Sequence, residues 1–355
     1  MKIKTKQLAE EDLRKIDAKG LDAIANKIVS EKVLINRCFI CRNKVFSKKK
    51  DIHNSHTVPQ YILENLSQGQ KDNNYKHLSQ YEYPEFGEKN VGKTNAGIFR
   101  LICSECDNRV FKAYEDKKVD IFDSNNDSEV LYAIALKNLL KKYYNCVYTL
   151  NYMGEFMQVR LPSGSFQEYL LTQYKIVRII ESEAIRLMRA KEEKQNLEYE
   201  ILLKEKLPYR TDIATQGCYI YSEVPPENDV IIFKDDEEYL KDELKSFEEF
   251  LKIEHPIIHI AVLPFESYTY VVYFACKGAY HFGRFKAEFK GLSYEEQLRQ
   301  ISIDCLLQIE DCYLNAEKDY PSLAGLSLSA YKTIPTGEYY AKAMKSIENF
   351  LYPNP

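Results

Sequence analysis

The chain has 355 residues, 45% hydrophobic and 29% charged, a size and balance that fit a globular protein of two domains or one large domain with an appendage. Its first residues, MKIKTKQLAEEDLRK, are too charged for a secretory signal, and no run of eighteen apolar residues exists. A cytoplasmic protein without a membrane span is therefore expected. The net charge of −4 hides an asymmetry: residues 1–120 hold 23 Lys and Arg against 17 Asp and Glu, and residues 121–355 hold 26 against 36. A basic segment attracts polyanions, and it is equally what a solvated lysine surface looks like.

In chain order, apolar positions at Leu8, Leu13, Ile16, Leu21, Ile24 and Ile28 predict one or two short helices over 7–30, broken near Gly20. KVLINRCFICRNKVF reads as strand, tight turn and strand, with Cys38 and Cys41 at the turn. A basic turn at Lys48, Lys49 and Lys50 follows, then a short strand carrying His53 and His56. Pro59 opens a helix through Leu66. Residues 67–97 are polar and read as a long loop or insertion. A short strand leads into Cys103 and Cys106, with a helix beginning at or just after Cys106. DSNNDS at 123–128 marks a domain boundary, and Asp127 or Ser128 is placed to cap the helix that follows.

Beyond that boundary the pattern predicts strands at about 146–153 and 155–161, joined by Gly154. A helical stretch over 165–206, bent near Asn196, comes next. Strands are expected at 217–224, 229–234, 257–264 and 268–276, an acidic helix at 236–252, and helices at 293–315 and 337–351. The alternation is not a regular βαβ series, so the expected class is α+β. His255, His259 and His281 are too scattered to suggest a site, and no Gly-rich phosphate loop or GxSxG elbow is present.

The chemistry concentrates in the cysteines. Five of the nine, Cys146, Cys218, Cys276, Cys305 and Cys312, stand in unrelated contexts and read as reduced core thiols. The other four form two CxxC pairs. Two such pairs outside a disulfide scaffold are a strong Zn²⁺ signal: each turn puts two thiolates on one side of the metal, and four close a tetrahedron. A site closed by four sulfurs is structural and does not activate water. The 61 residues between Cys41 and Cys103 exceed what a compact zinc ribbon uses, and they contain His53 and His56.

Cys38–Cys41, then Ser55-His56-Thr57-Val58-Pro59, then Cys103–Cys106-Asp107-Asn108 is an order of motifs that resembles the HNH endonucleases of the four-cysteine type, ββα-metal nucleases on a treble-clef zinc finger. The variant SHxxP with CxxCDN, and CDNRVFKAYE after it, looks like an HNH-like group of bacterial proteins, some of them in defence against phage. The resemblance covers about residues 31–120. It implies His56 as the general base, Asp107 and Asn108 in the catalytic set, and a Mg²⁺ or Mn²⁺ ion held by Asp107 and Glu115, with His53 as a further ligand. It also implies DNA as substrate, with Lys48–Lys50, Arg109 and Lys112 placed to meet its backbone.

Three departures stand against it. Ser55 replaces the acidic or His residue usual before the base, the middle Asn has only Asn95 as a distant counterpart, and the final His is absent. The residues alone leave other roles open: His56 as a hydrogen-bonding structural side chain, Asp107 as a helix N-cap, Glu115 as a solvated helix residue. The expected organisation is a helical segment at 1–30, an HNH-like four-cysteine domain at 31–125, and an α+β regulatory or partner-binding domain at 126–355. The expected activity is metal-dependent hydrolysis of phosphodiester bonds. The alternative is a catalytically degenerate treble-clef module that binds nucleic acid or a protein partner.

Overall fold

The computed structural model describes residues 37–42, 53–66, 74–78, 89–92, 94–116, 127–156, 163–221, 256–277, 282–315, 318 and 350–351. The helices expected at 7–30 and 236–252, the strand at 229–234, and Lys48–Lys50 lie outside these residues, as does the helix at 337–351 apart from a turn at Phe350 and Leu351.

The chain is α+β. Strand β1 is Ser55–His56 and helix α1 is Gln60–Leu66, entered through Pro59 as expected. The strand holds only His56 of the two histidines; His53 precedes it and bonds its backbone N–H to the Ile102 carbonyl at 3.3 Å. The polar stretch read as a loop contains two strands, β2 at Asn74–Leu78 and β3 at Lys89–Gly92. Strand β4, Ile98–Phe99, pairs antiparallel with β1. Helix α2, Ser104–Glu115, starts before Cys106, not after it.

Helix α3 runs over Asp127–Phe156 and α4 over Ser163–Glu192. No strand forms at 146–153: Cys146-Val-Tyr-Thr-Leu is an apolar, β-branched and aromatic run that periodicity alone cannot assign, and the helix simply continues through Gly154. The helical reading of 197–206 is also corrected. Residues Tyr199–Leu207 are strand β5, an edge strand whose Lys204, Glu205 and Lys206 follow one another, as charged residues do at a sheet edge. Strands β7 (Ile257–Pro264) and β8 (Thr269–Cys276) match the expected runs closely, whereas β6 (Ile213–Ile220) begins four residues before the run expected at 217–224. Helix α5 (Phe282–Gly291) was not anticipated. The helix expected at 293–315 is α6 (Tyr294–Leu307) followed by strand β9 (Cys312–Asn315).

Among the described residues, seven strands form one sheet in the order β3-β2-β9-β6-β7-β8-β5, with every pair antiparallel. Both faces are covered, which explains why every residue of β7 is buried. Ile257, Ala261 and Leu263 face the core shared with α3 and α4, while Ile258, Ile260 and Val262 face the core that holds α6. The segments 31–125 and 126–355 share this sheet and one core. Strands β2 and β3 are joined to it through β9, and fully buried Tyr75 sits edge-on to Tyr313 at 6.4 Å.

Helix α3 is buried on all sides from Val130 to Lys141. Its buried polar side chains reach partners across the core, although Asn138 Oδ1 has none among the described residues. Asn138 donates to the carbonyls of Gly217 at 2.6 Å and Ile260 at 3.3 Å, and Lys141 pairs with Asp311 at 3.1 Å. No helix among the described residues is long and apolar enough to cross a membrane.

His259 on β7 is a further buried polar group without a bond. It is fully buried, stacks on Phe274 at 5.1 Å, and neither ring nitrogen has a hydrogen-bond partner among the described residues. Burial, with the Arg186 charge adding, holds its imidazole down at about 3. The folded pKa lies below the ordinary value, so the unfolded chain takes up a proton that the fold refuses. Stability is complete above pH 6.5 and is lost as pH falls towards 3. His259→Leu is expected to remove this term. Between pH 7 and pH 5 the wild type should lose about 2 kcal/mol more unfolding free energy than the variant, read from urea midpoints.

Candidate metal centre and adjoining cavity

The four expected ligands meet. The sulfurs of Cys38, Cys41, Cys103 and Cys106 all lie within 4.8 Å of one another. A tetrahedral Zn²⁺ with Zn–S of about 2.3 Å sets its sulfurs about 3.8 Å apart, so the cluster has the right size. The first pair sits on a turn closed by Arg42 N–H to the Cys38 carbonyl at 2.9 Å, and Arg42 takes a left-handed φ of 54° to leave it. The second pair opens α2, with Cys103 at the N-cap and Cys106 in the first turn. The Cys103 N–H points at the Cys38 sulfur at 3.4 Å. Burial pushes the Cys38 and Cys106 thiols up, a cost that a bound divalent ion would offset by favouring their thiolates. The cluster is tied to the rest of the chain by Phe39, whose ring lies 5.3 Å from that of Tyr143 on α3.

Because Cys103 is the N-cap, Asp107 is the fourth residue of α2 and caps nothing. It is buried, and its two oxygens are taken separately: Ser55 donates its hydroxyl to Oδ1, and His53 Nε2 lies 3.3 Å from Oδ2. Ser55, which stands where the resemblance calls for an acidic or His residue, is buried and orients the carboxylate. Glu115 lies two turns along α2 on the same face, with Phe111 between them.

His56 is held by backbone. Its Nδ1 lies 2.9 Å from the Ala96 carbonyl, an acceptor only, so Nδ1 carries the proton. Nε2 is then the free base, and the Gln60 amide donates to it at 2.9 Å. The Ala96 carbonyl is presented by a turn that ends at Gly97, whose φ is +62°. A Cβ there would meet the Tyr313 hydroxyl at 2.9 Å and Thr57 Oγ1 at 3.1 Å, so glycine is required. Burial lowers the His56 pKa, the Ala96 bond opposes this, and the Lys137 charge pushes the same way as burial. The imidazole is neutral at pH 7.

These groups line one cavity of about 380 Å³, with His53, His56, Asp107, Glu115 and Lys137 on its walls. Lys137 comes from α3, is 1% exposed, pairs its ammonium with Glu115, and stands 4.4 Å from the Phe111 ring centroid. Burial raises the Glu115 carboxyl and Lys137 pulls it back.

The structure thus gathers His53, His56 and Asp107. It does not gather His53, Asp107 and Glu115 into a compact ligand set. Among the described residues the four cysteines are the only such group, and the Glu115 carboxylate is held by Lys137. Asn108 and Lys112 are exposed, and Asn108 is not part of the cavity wall. Arg109, also exposed, leans its guanidinium on the Cys106 sulfur at 3.7 Å. Asn95, the distant counterpart of the middle Asn, is exposed in the turn before Gly97. Sequence reasoning missed Gln60 and Lys137. The signal for Lys137 was a lysine inside the apolar run YAIALKNLL, a position that needs a buried anion.

No family model matches the chain, and no curated protein or solved structure is detectably similar to it.

Proposed function

We propose that the chain is a metal-dependent HNH-like endonuclease acting on DNA, built on a treble-clef module with a structural Zn²⁺ at the four cysteines. The observation that carries this reading is His56: a neutral imidazole, fixed by Ala96 at Nδ1, with Nε2 turned into a polar cavity beside the Asp107–His53 pair. The Gln60 amide occupies the hydrogen-bond position that a substrate water takes. In the reaction the water oxygen attacks phosphorus, its proton passes to His56 Nε2, and the bond from phosphorus to the leaving oxygen breaks.

The donor chemistry suits a hard divalent cation. Cis ligands of an octahedral Mg²⁺ with bonds of about 2.1 Å stand about 3.0 Å apart, and His53 Nε2 and Asp107 Oδ2 are 3.3 Å apart. His53 and Asp107 would hold the ion. When bound, it supplies positive charge for the scissile phosphate and the leaving oxygen. The cavity calls for such charge: Glu64, Asp107 and Glu115 line it against one lysine, a field that repels a phosphodiester.

The test is supercoiled plasmid incubated with the zinc-loaded full chain and Mg²⁺, Mn²⁺ or EDTA. Nicking or linearisation that requires added Mg²⁺ or Mn²⁺ is the expected result. An intact plasmid under all conditions, with one zinc per chain and a normal melt, points to the non-catalytic binding module instead.

A further inference from the structure

We infer that Asp311, the residue before β9, is a positioning residue for His56: acting through Thr57, it fixes the Ala96–Gly97 turn that selects the tautomer of the base. This rests on the reading of His56 as general base and extends it, because Asp311 belongs to the other half of the chain, 254 positions from Thr57.

The contacts form one path. Thr57 follows His56 directly, is fully buried, and sets its hydroxyl 2.8 Å from both the Gly97 carbonyl and Asp311 Oδ2. Its N–H donates to the same Gly97 carbonyl at 3.0 Å. The Gly97 peptide is thereby held against Thr57, and the neighbouring Ala96 carbonyl meets His56 Nδ1 at 2.9 Å. Behind the turn, the Tyr313 hydroxyl donates to Asp311 Oδ1 at 3.3 Å and stands 2.9 Å from where a Gly97 Cβ would be. Lys141 Nζ lies 3.1 Å from Asp311 Oδ2 and donates to the Ile98 carbonyl on β4 at 3.3 Å. Asp311 is itself anchored, since Thr215 donates its hydroxyl to the Asp311 carbonyl at 2.7 Å.

The chemistry favours a positioning role. Asp311 is 4% exposed, and a buried ion pair rarely stabilises a fold more than apolar side chains of the same volume. What it supplies is direction, because a charged acceptor fixes a hydroxyl more strongly than a neutral one does. An imidazole with no directing partner exchanges between two tautomers, and only Nδ1–H leaves Nε2 free to take a proton. Asp311 and Lys141 thus let β9 and α3 set the state of a base carried on β1.

The test is nitrogen NMR on the zinc-loaded full chain labelled with ¹⁵N-histidine, at a pH where His56 is neutral. Among the six histidines, His56 is assigned by the signal missing from His56→Ala. The wild type is expected to show His56 as the Nδ1–H tautomer. Asp311→Ala and Thr57→Val, which keeps the side-chain shape without the hydroxyl, are each expected to show a mixture of tautomers. Thr57→Ser restores the hydroxyl and should return the wild-type signal. In plasmid cleavage, kcat of Thr57→Val is expected to fall about five-fold or more with KM unchanged, the factor one buried hydrogen bond is worth in the chemical step. Should Asp311→Ala fold poorly because Lys141 is left unpaired, Asp311→Ala combined with Lys141→Met removes both charges and should show the same mixture. The Nδ1–H tautomer retained in the folded Asp311 variant, its loss in Thr57→Ser, or wild-type His56 protonated at Nε2 overturns the assignment. The hydrolytic reading fails separately, if the tautomers behave as expected and plasmid is never cut.

Discussion

His56→Ala is expected to lower plasmid cleavage by about 10²–10⁴-fold, the span a positioned general base contributes, with zinc content and fold retained. The His56 ring bonds the buried Ala96 carbonyl and the exposed Gln60 amide, which lines the cavity. The fold therefore loses one buried bond and little packing. His56→Asn separates the two roles further: its amide can still donate towards Ala96, but it cannot accept a proton at neutral pH. It should be as inactive as the alanine variant.

The wild-type pH profile should carry the same signature. His56 works in its neutral form, and its pKa lies below the ordinary 6.5, chiefly through burial. Activity should thus be flat from pH 7 to 8 and fall only as pH drops through that lowered value. Full, metal-dependent cleavage by folded His56→Ala would remove His56 as the base.

The metal cluster was legible because its chemistry is local. Two CxxC turns declare their ligands by spacing alone, and the histidine and proline between them marked the adjoining strand and helix. What lay between was not legible. NYKHL and KNVG carry no apolar alternation, and β2 is ordered by pairing with β9, more than 200 residues later. The polar linker behind the boundary expected near 125 says nothing about strands returning across it, and β2 and β9 from its two sides pair in one sheet. Lys137 was hidden differently. It is one of 49 cations, and its partner Glu115 belongs to another helix. Ser55 looked like a defect when judged as a metal ligand. In the folded chain it holds the Asp107 carboxylate, a place where an acidic side chain would set two negative charges against each other.

Cys103→Ser is expected to abolish stoichiometric zinc and to unfold the region around the cavity. Structural zinc contributes on the order of 10–16 kcal/mol to small finger domains, more than most single cores supply. Cys103 has several structural duties: a ligand sulfur, the N-cap position of α2, and an N–H directed at Cys38. The loss reaches the cavity through short paths, since Asp107 is one turn from Cys103 and the His53 backbone hangs on Ile102. A serine elsewhere makes the comparison. Cys218 is fully buried in the shared core and belongs to no cluster of metal ligands, so Cys218→Ser should keep one zinc per chain and lose only about 1–3 kcal/mol from burying a hydroxyl. Zinc by elemental analysis and thermal melts of both variants decide the matter. The core under α5 and α6 holds none of the four clustered cysteines, so Cys103→Ser should melt in two steps, the later one belonging to the sheet. A single unshifted melt with full zinc would show that three cysteines suffice, and the cluster would then be an open site rather than a closed one.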